Sequence, residues 1–126
     1  MRLLLDTHAL VWALSSPRRL PARARKGIED PENVVFASAA STWEIAIKAA
    51  LGKIDADLDE VTTGIEAAGL RTLPISVAHT RRLRELPPLH RDPFDRILVA
   101  QALEEGLTIV THDPVLPGYP APTLWR

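Results

Sequence analysis

Leu3-Leu4-Leu5-Asp6-Thr7-His8-Ala9-Leu10 contains the unit on which the whole chain is built: a short apolar run, an acid, then residues of helical period. Leu3 to Leu5 reads as a strand ending at Asp6. Thr7 to Leu14 reads as a helix with Ala9, Leu10 and Ala13 on its inner side, closed by Pro17. Outward from this unit the pattern recurs. Pro21 suits the first turn of a helix through about Glu29. Val34-Val35-Phe36-Ala37 is a buried strand, and Ser41 to Leu51 a helix stopped by Gly52. Leu58 to Ala68 is a further helix, stopped by Gly69. Arg71 to Ile75 is a strand that Pro74 places at an edge or an end. Ser76 caps a helix through about Glu85, and Pro87-Pro88 breaks the chain. Pro93 opens a helix to Glu105 that ends at Gly106, and Leu107 to Thr111 is the last clear strand. The tail, with Pro114, Pro117, Pro120 and Pro122, is turns with room for a short edge strand. Strands alternating with helices predict an α/β fold: a central, mainly parallel sheet with helices on both faces. Such sheets bind ligands at the carboxyl ends of their strands, near a switch in strand order.

The chain has 126 residues, which suits one domain spanning residues 1–126, long enough to bury a core without staples. Hydrophobic residues make up 46% and charged residues 25%, as expected of a soluble globular protein. The absence of cysteine excludes disulfides and thiolate zinc sites. No apolar run is long enough to span a membrane, and Asp6 interrupts the start too early for a signal peptide, so a cytoplasmic protein is expected. Net charge is −1, which does not announce a nucleic-acid binder. The basic residues are nevertheless grouped: Arg18, Arg19, Arg23, Arg25 and Lys26 in one cluster, and Arg81, Arg82, Arg84, Arg91 and Arg96 in another. Solvated helix faces explain such groups, unless they flank an acidic pocket and hold phosphates.

Four acids recur at equivalent places. Asp6 ends the first strand, Glu44 follows the second, Asp95 lies in the first turn of the helix before the last strand, and Asp113 follows that strand. Each has a local explanation. Asp6 suits an N-cap, and Ser41-Thr42-Trp43-Glu44 a capping box. Asp92-Pro93-Phe94-Asp95 suits a helix start, and Asp113-Pro114 a turn. Independent capping does not predict an acid at every one of these points along one sheet edge. Four crowded carboxylates raise one another's pKa, and a divalent cation removes that penalty. Mg²⁺ or Mn²⁺ suits carboxylate oxygens, whereas His8, His79, His90 and His112 show no i, i+4 pairing that would favour zinc. Such a site suits phosphodiester hydrolysis by metal-activated water, and no Ser-His-Asp set or Gly-rich phosphate loop competes with it.

Four segments carry a family resemblance: Leu4-Leu5-Asp6-Thr7-His8; Ser41-Thr42-Trp43-Glu44-Ile45-Ala46-Ile47-Lys48; His90-Arg91-Asp92-Pro93-Phe94-Asp95-Arg96 with Ala100-Gln101-Ala102; and Thr111-His112-Asp113. In this order the chain resembles PIN-domain proteins, and most of all the VapC-type toxins of bacterial toxin–antitoxin pairs. The resemblance implies a PIN fold, a divalent metal site, endoribonuclease activity, an antitoxin that blocks the site, and a homodimer. By position, Asp6, Glu44, Asp95 and Asp113 match the acidic quartet. Asp6 and Asp95 would be direct metal ligands, while Glu44 and Asp113 would bind directly or through water and orient the nucleophile. Asp92 is expected as an N-cap near the site. Thr7 and Thr111 are expected to support the carboxylates or only to satisfy backbone. His90, Arg91 and Arg96 stand beside the acids as candidate phosphate contacts. Trp12 and Trp43 are expected in the core, with base stacking the lesser role. Transfer RNA is a plausible substrate. The alternatives are a catalytically silent PIN-like module that binds RNA or protein and, more remotely, an aspartyl phosphoacceptor or phosphatase domain. The last lacks support because His8 stands where a second Asp would, and the last strand leads into His112-Asp113 instead of a lysine.

Overall fold

In the computed structural model, which describes residues 1–126, strands and helices alternate as the periodicity predicts. The order is β1 (Arg2–Leu5), α1 (Thr7–Ser15), α2 (Ala22–Glu29), β2 (Val34–Ser38), α3 (Ala39–Ala50), α4 (Leu58–Ala67), β3 (Arg71–Leu73), α5 (Val77–Arg84), α6 (Pro93–Glu105), β4 (Thr108–Val110) and β5 (Thr123–Leu124). The five strands form one sheet in the order β3-β2-β1-β4-β5, and every pairing is parallel. β3 is an edge strand that stops just before Pro74, which has no N–H to donate to a ladder. The tail supplies the other edge as β5.

Parallel strands are covered on both faces, which is why β1 is apolar at consecutive positions. Leu3, Leu4 and Leu5 are all fully buried. Leu4 points into a cluster with Ile97, Leu98 and Ile109, beneath α5 and α6. Leu3 and Leu5 point the other way, among Ala9, Leu10, Val61 and Ile65 of α1 and α4. Helices therefore lie on both faces. Gly106, at φ 68°, ends α6 in the left-handed region and turns the chain into β4.

α3 starts earlier than its capping-box pattern suggests. Ser38, not Ser41, is the N-cap and accepts from the Ala40 amide. Ser38 Oγ is also fixed by donating to Gln101 Oε1 of α6 at 2.6 Å. This partner is 63 residues away, so the local S-x-x-E pattern is overridden by a tertiary contact. Glu44 is thereby moved from the first turn into the second and freed from capping.

The chain builds outward from β1 through β2 to β3, then returns through α5 and α6 to place β4 on the other side of β1. The β1/β4 junction is the switch point where open parallel sheets leave a crevice at their carboxyl ends. Leu5 pairs with Val110 there, and the Asp6 amide donates to the Val110 carbonyl, which sets Asp6 beside Thr111.

Candidate active site

Asp6 caps α1: its Oδ1 accepts from the Ala9 amide at 2.8 Å, and the residue is buried. Burial raises its pKa, against the hydrogen bonds of the Thr111 hydroxyl and the Ala9 amide. Thr111 Oγ1 itself accepts from the Asp113 amide at 3.0 Å, so its one proton is free for Asp6. The two threonines thus tie the acids to the strand ends. Thr7, the residue after Asp6, donates to Glu44 Oε1 at 2.5 Å, and its oxygen lies 3.1 Å from Ser41 Oγ. A hydroxyl carries one proton and the carboxylate can only accept, so Ser41 donates to Thr7 in turn.

Glu44 is buried at 4% exposure, yet it is not short of partners. Besides Thr7 it meets Lys48 Nζ one helical turn on, 2.5 Å from Oε2. Lys48 lies 3.6 Å from Asp92 Oδ2 as well. Burial opposes the ammonium charge, but the bond to Glu44 and the charges of Glu44 and Asp92 outweigh it and hold the Lys48 pKa above the ordinary lysine value.

Asp92 is the N-cap of α6, accepting from the amides of Phe94 at 2.8 Å and Asp95 at 3.3 Å. Its charge also bears on Asp95. Burial first, then Asp92, with smaller contributions from Asp6 and Glu44, push the Asp95 pKa up to about 7, against the opposing pull of His90. Asp113 goes the other way. Burial raises it, but the hydrogen bonds of His90 and the Val115 amide outweigh that and leave it below the usual carboxylate range.

His90 stands between the two. Its Nε2 lies 2.8 Å from Asp113 Oδ2 and 3.3 Å from Asp95 Oδ2. Its Nδ1 accepts the Asp92 N–H at 3.0 Å, which assigns the ring proton to Nε2. His90, Asp95 and Asp113 bring one potential ligand atom each to within 4.8 Å of one another. With Nε2 protonated, however, the histidine acts as a donor to the carboxylates and not as a ligand. The remaining donor set is carboxylate oxygen, which fits a hard divalent cation and not zinc.

Of the expected site residues, Asp6, Glu44, Asp95 and Asp113 converge on the carboxyl edge, with Thr7, Asp92 and Thr111 around them. His90 is turned onto the carboxylates instead of outward to a phosphate. Arg91 is exposed beside it. Arg96 is turned away: its guanidinium donates to the Leu86 carbonyl at 3.3 Å. Trp43 is not in the core but 56% exposed, its ring edge-on to Phe94 at 4.9 Å between centroids. It shares an outward face with Ile47 of α3 and Leu51 just beyond it, whereas Ile45 on the inner face is fully buried. Trp12 is half-buried, packing inward on one side and lining a surface groove on the other. Lys48 was not among the expected residues, although its i, i+4 spacing from Glu44 was visible in the sequence.

The profile of the PIN domain family matches residues 3–120. The chain belongs to the PIN domain family. A curated relative, Ribonuclease VapC22 of Mycobacterium tuberculosis (strain ATCC 25618 / H37Rv), is 31% identical over 97% of each chain. Solved structures share the fold. The VapBC2 complex of Rickettsia felis, bound to a DNA fragment from its promoter, has a chain that superposes with TM-score 0.73 at 17% identity over 100% of both chains. The DNA-bound VapBC complex of Salmonella typhimurium has a chain that superposes with TM-score 0.68 at 15% identity, over 98% of this chain and 96% of that one. FitAcB of Neisseria gonorrhoeae reaches TM-score 0.54 at 18% identity, over 90% and 88%. No helix of this PIN domain is long and apolar enough to cross a membrane.

Proposed function

We propose that this chain is a Mg²⁺- or Mn²⁺-dependent endoribonuclease, the toxin of a toxin–antitoxin pair, with Asp6, Glu44, Asp95 and Asp113 as its catalytic acids. The observation that carries the reading is Asp95. Burial first, then the charge of Asp92 and more weakly those of Asp6 and Glu44, push its carboxyl pKa up to about 7, with no lysine or arginine paired to it. A protein that only needed to cap α6 has Asp92 for that purpose. The further acid is understandable as a ligand whose counter-charge comes from outside. The ribonuclease name of the relative in Mycobacterium tuberculosis and the VapBC complexes among the similar folds support the same reading.

Asp6 and Asp95 would hold the cation, with Glu44 and Asp113 completing the set directly or through water. A divalent ion held there supplies Lewis-acid charge at the phosphate and a water of lowered pKa. The chain's own residues supply position. Thr7 and Lys48 fix the Glu44 carboxylate, Thr111 and the Ala9 amide fix that of Asp6, and His90 orients Asp113 against Asp95. The partners that follow from this reading are RNA (transfer RNA being one candidate), a cognate antitoxin and a second copy of the chain.

The test is cleavage of labelled RNA by the purified protein. Scission is expected with Mg²⁺ or Mn²⁺ and not with EDTA. A folded protein that binds the metal but cuts no RNA, transfer RNA included, would favour a silent binding module.

A further inference from the structure

The acids at the carboxyl edge fall into two halves, and only one of them has a cation of the chain's own. In the first half stand Asp95 and Asp113, each with an oxygen that lies with His90 Nε2 inside a 4.8 Å cluster. Neither pairs with a lysine or arginine. In the second half stand Glu44 and Asp92, with Lys48 between them. Its Nζ is 2.5 Å from Glu44 Oε2, 3.6 Å from Asp92 Oδ2 and 5.7 Å from the Phe94 ring centroid. Phe94 is itself held edge-on by Trp43. The ammonium is therefore fixed on three sides: by α3, by the cap of α6 and by the first turn of α6.

An ordinary i, i+4 pair does not explain this arrangement. On a helix surface such a pair opens freely into water and contributes little. Here Glu44 is buried, and its other oxygen, Oε1, accepts from Thr7. The ammonium also reaches beyond its own helix to the cap of α6. A divalent ion bound to Glu44 Oε2 would sit about 2.1 Å from it. That place overlaps the place of Nζ, and like charges so close repel strongly. Two-ion sites for phosphodiester hydrolysis carry their ions about 3.5–4 Å apart. In this chain the carboxylates that would serve a second ion already hold a lysine.

We propose that Lys48 occupies the second-cation position of this site, so that the chain binds one divalent ion, on the side of Asp6, Asp95 and Asp113. Lys48 is then a positioning residue, whose ammonium keeps Glu44 and Asp92 from direct ligation. The inference rests on the metal reading above and deepens it: the stoichiometry is one, and Glu44 serves through water.

The test counts Mn²⁺ on the full chain without RNA, by calorimetry and electron paramagnetic resonance. The wild type is expected to take one ion, with the hyperfine-split spectrum of an isolated centre. Lys48→Met is expected to take two, with the broadened signal of neighbouring ions. Lys48→Arg keeps the charge and should stay at one. A lysine with only a structural role would change stability and leave the count at one throughout. Lys48→Gln, which keeps a hydrogen-bond donor for Glu44 without the charge, should also take two, and it replaces Lys48→Met if that variant does not fold. Lys48→Met/Glu44→Gln removes the whole pair and should return the count to one. Two ions on the wild type would overturn the assignment, and so would one ion on a folded, uncharged Lys48 variant. Cleavage assays separate the two levels. Two ions on a wild type that cuts RNA in Mn²⁺ keep the nuclease and remove the role of Lys48. A wild type that binds no Mn²⁺ removes the metal reading itself, and this inference with it.

Discussion

Glu44 and Asp95 are both carboxylates at the carboxyl edge of the same sheet, yet the protein treats them in opposite ways. Glu44 is the more deeply buried and is fully answered from within, by the Thr7 hydroxyl and the Lys48 ammonium. Asp95 is the more accessible but faces three other acids, with His90 at 3.3 Å as its one basic neighbour. The difference teaches that burial alone does not mark where a charge is left uncompensated. An acid left uncompensated, when a compensating residue would be easy to supply, identifies where an external cation belongs.

Asp95→Asn should break the comparison most visibly. Metal-dependent cleavage is expected to fall by about a thousandfold and metal binding to be lost by calorimetry. Stability should move the other way. The unfolded Asp95 carboxyl titrates near 3.9 and the folded one at about 7. Between those values the folded chain keeps a proton that the unfolded chain has released. Stability therefore falls as pH rises through that window and stays low above it. Asp95→Asn escapes this loss and should be more stable than wild type by about 2 kcal/mol above pH 7, with the gain fading towards about pH 4. Denaturant titrations at the two pH values measure it, and equal stability at both would refute the crowding account.

Glu44→Gln sharpens the contrast. It removes the carboxylate that holds Lys48, so stability is expected to fall by about 1–2 kcal/mol where Asp95→Asn gains. A stabilised Glu44→Gln would mean that Glu44 is as crowded as Asp95.

Metal affinity should carry the signature of Asp95 as well. Below about pH 7 a cation must displace its proton, so affinity should rise about tenfold per pH unit and level off above. Any proton on Asp6 adds to this, whereas Asp113, held low by His90, is already ionised. Calorimetry in buffers of differing ionisation enthalpy counts the protons, and a flat profile between pH 5 and 7 would contradict it. The smallest effect belongs to Thr7→Val. It loses the hydrogen bond donated to Glu44 and the one accepted from Ser41 and should cost about 1 kcal/mol of stability, read from a denaturant midpoint.

The sequence by itself determined the alternation of elements and the placing of Asp6 and Asp113 just after strands and of Asp95 in a helix's first turn, because strand and helix periods, proline stops and glycine caps are local properties. Asp92 as the cap of α6 was legible for the same reason, as were β3 ending at Pro74 and the α6 stop at Gly106. The tertiary structure alone decided what each acid meets. The order β3-β2-β1-β4-β5 sets Asp6 beside Thr111, although 105 positions separate them in the chain. It also moved the start of α3 to Ser38 through Gln101, left Trp43 in solvent and turned His90 onto Asp113. Hydrogen bonds, burial and charge act through space over a few ångströms, and distance along the chain does not report distance through space.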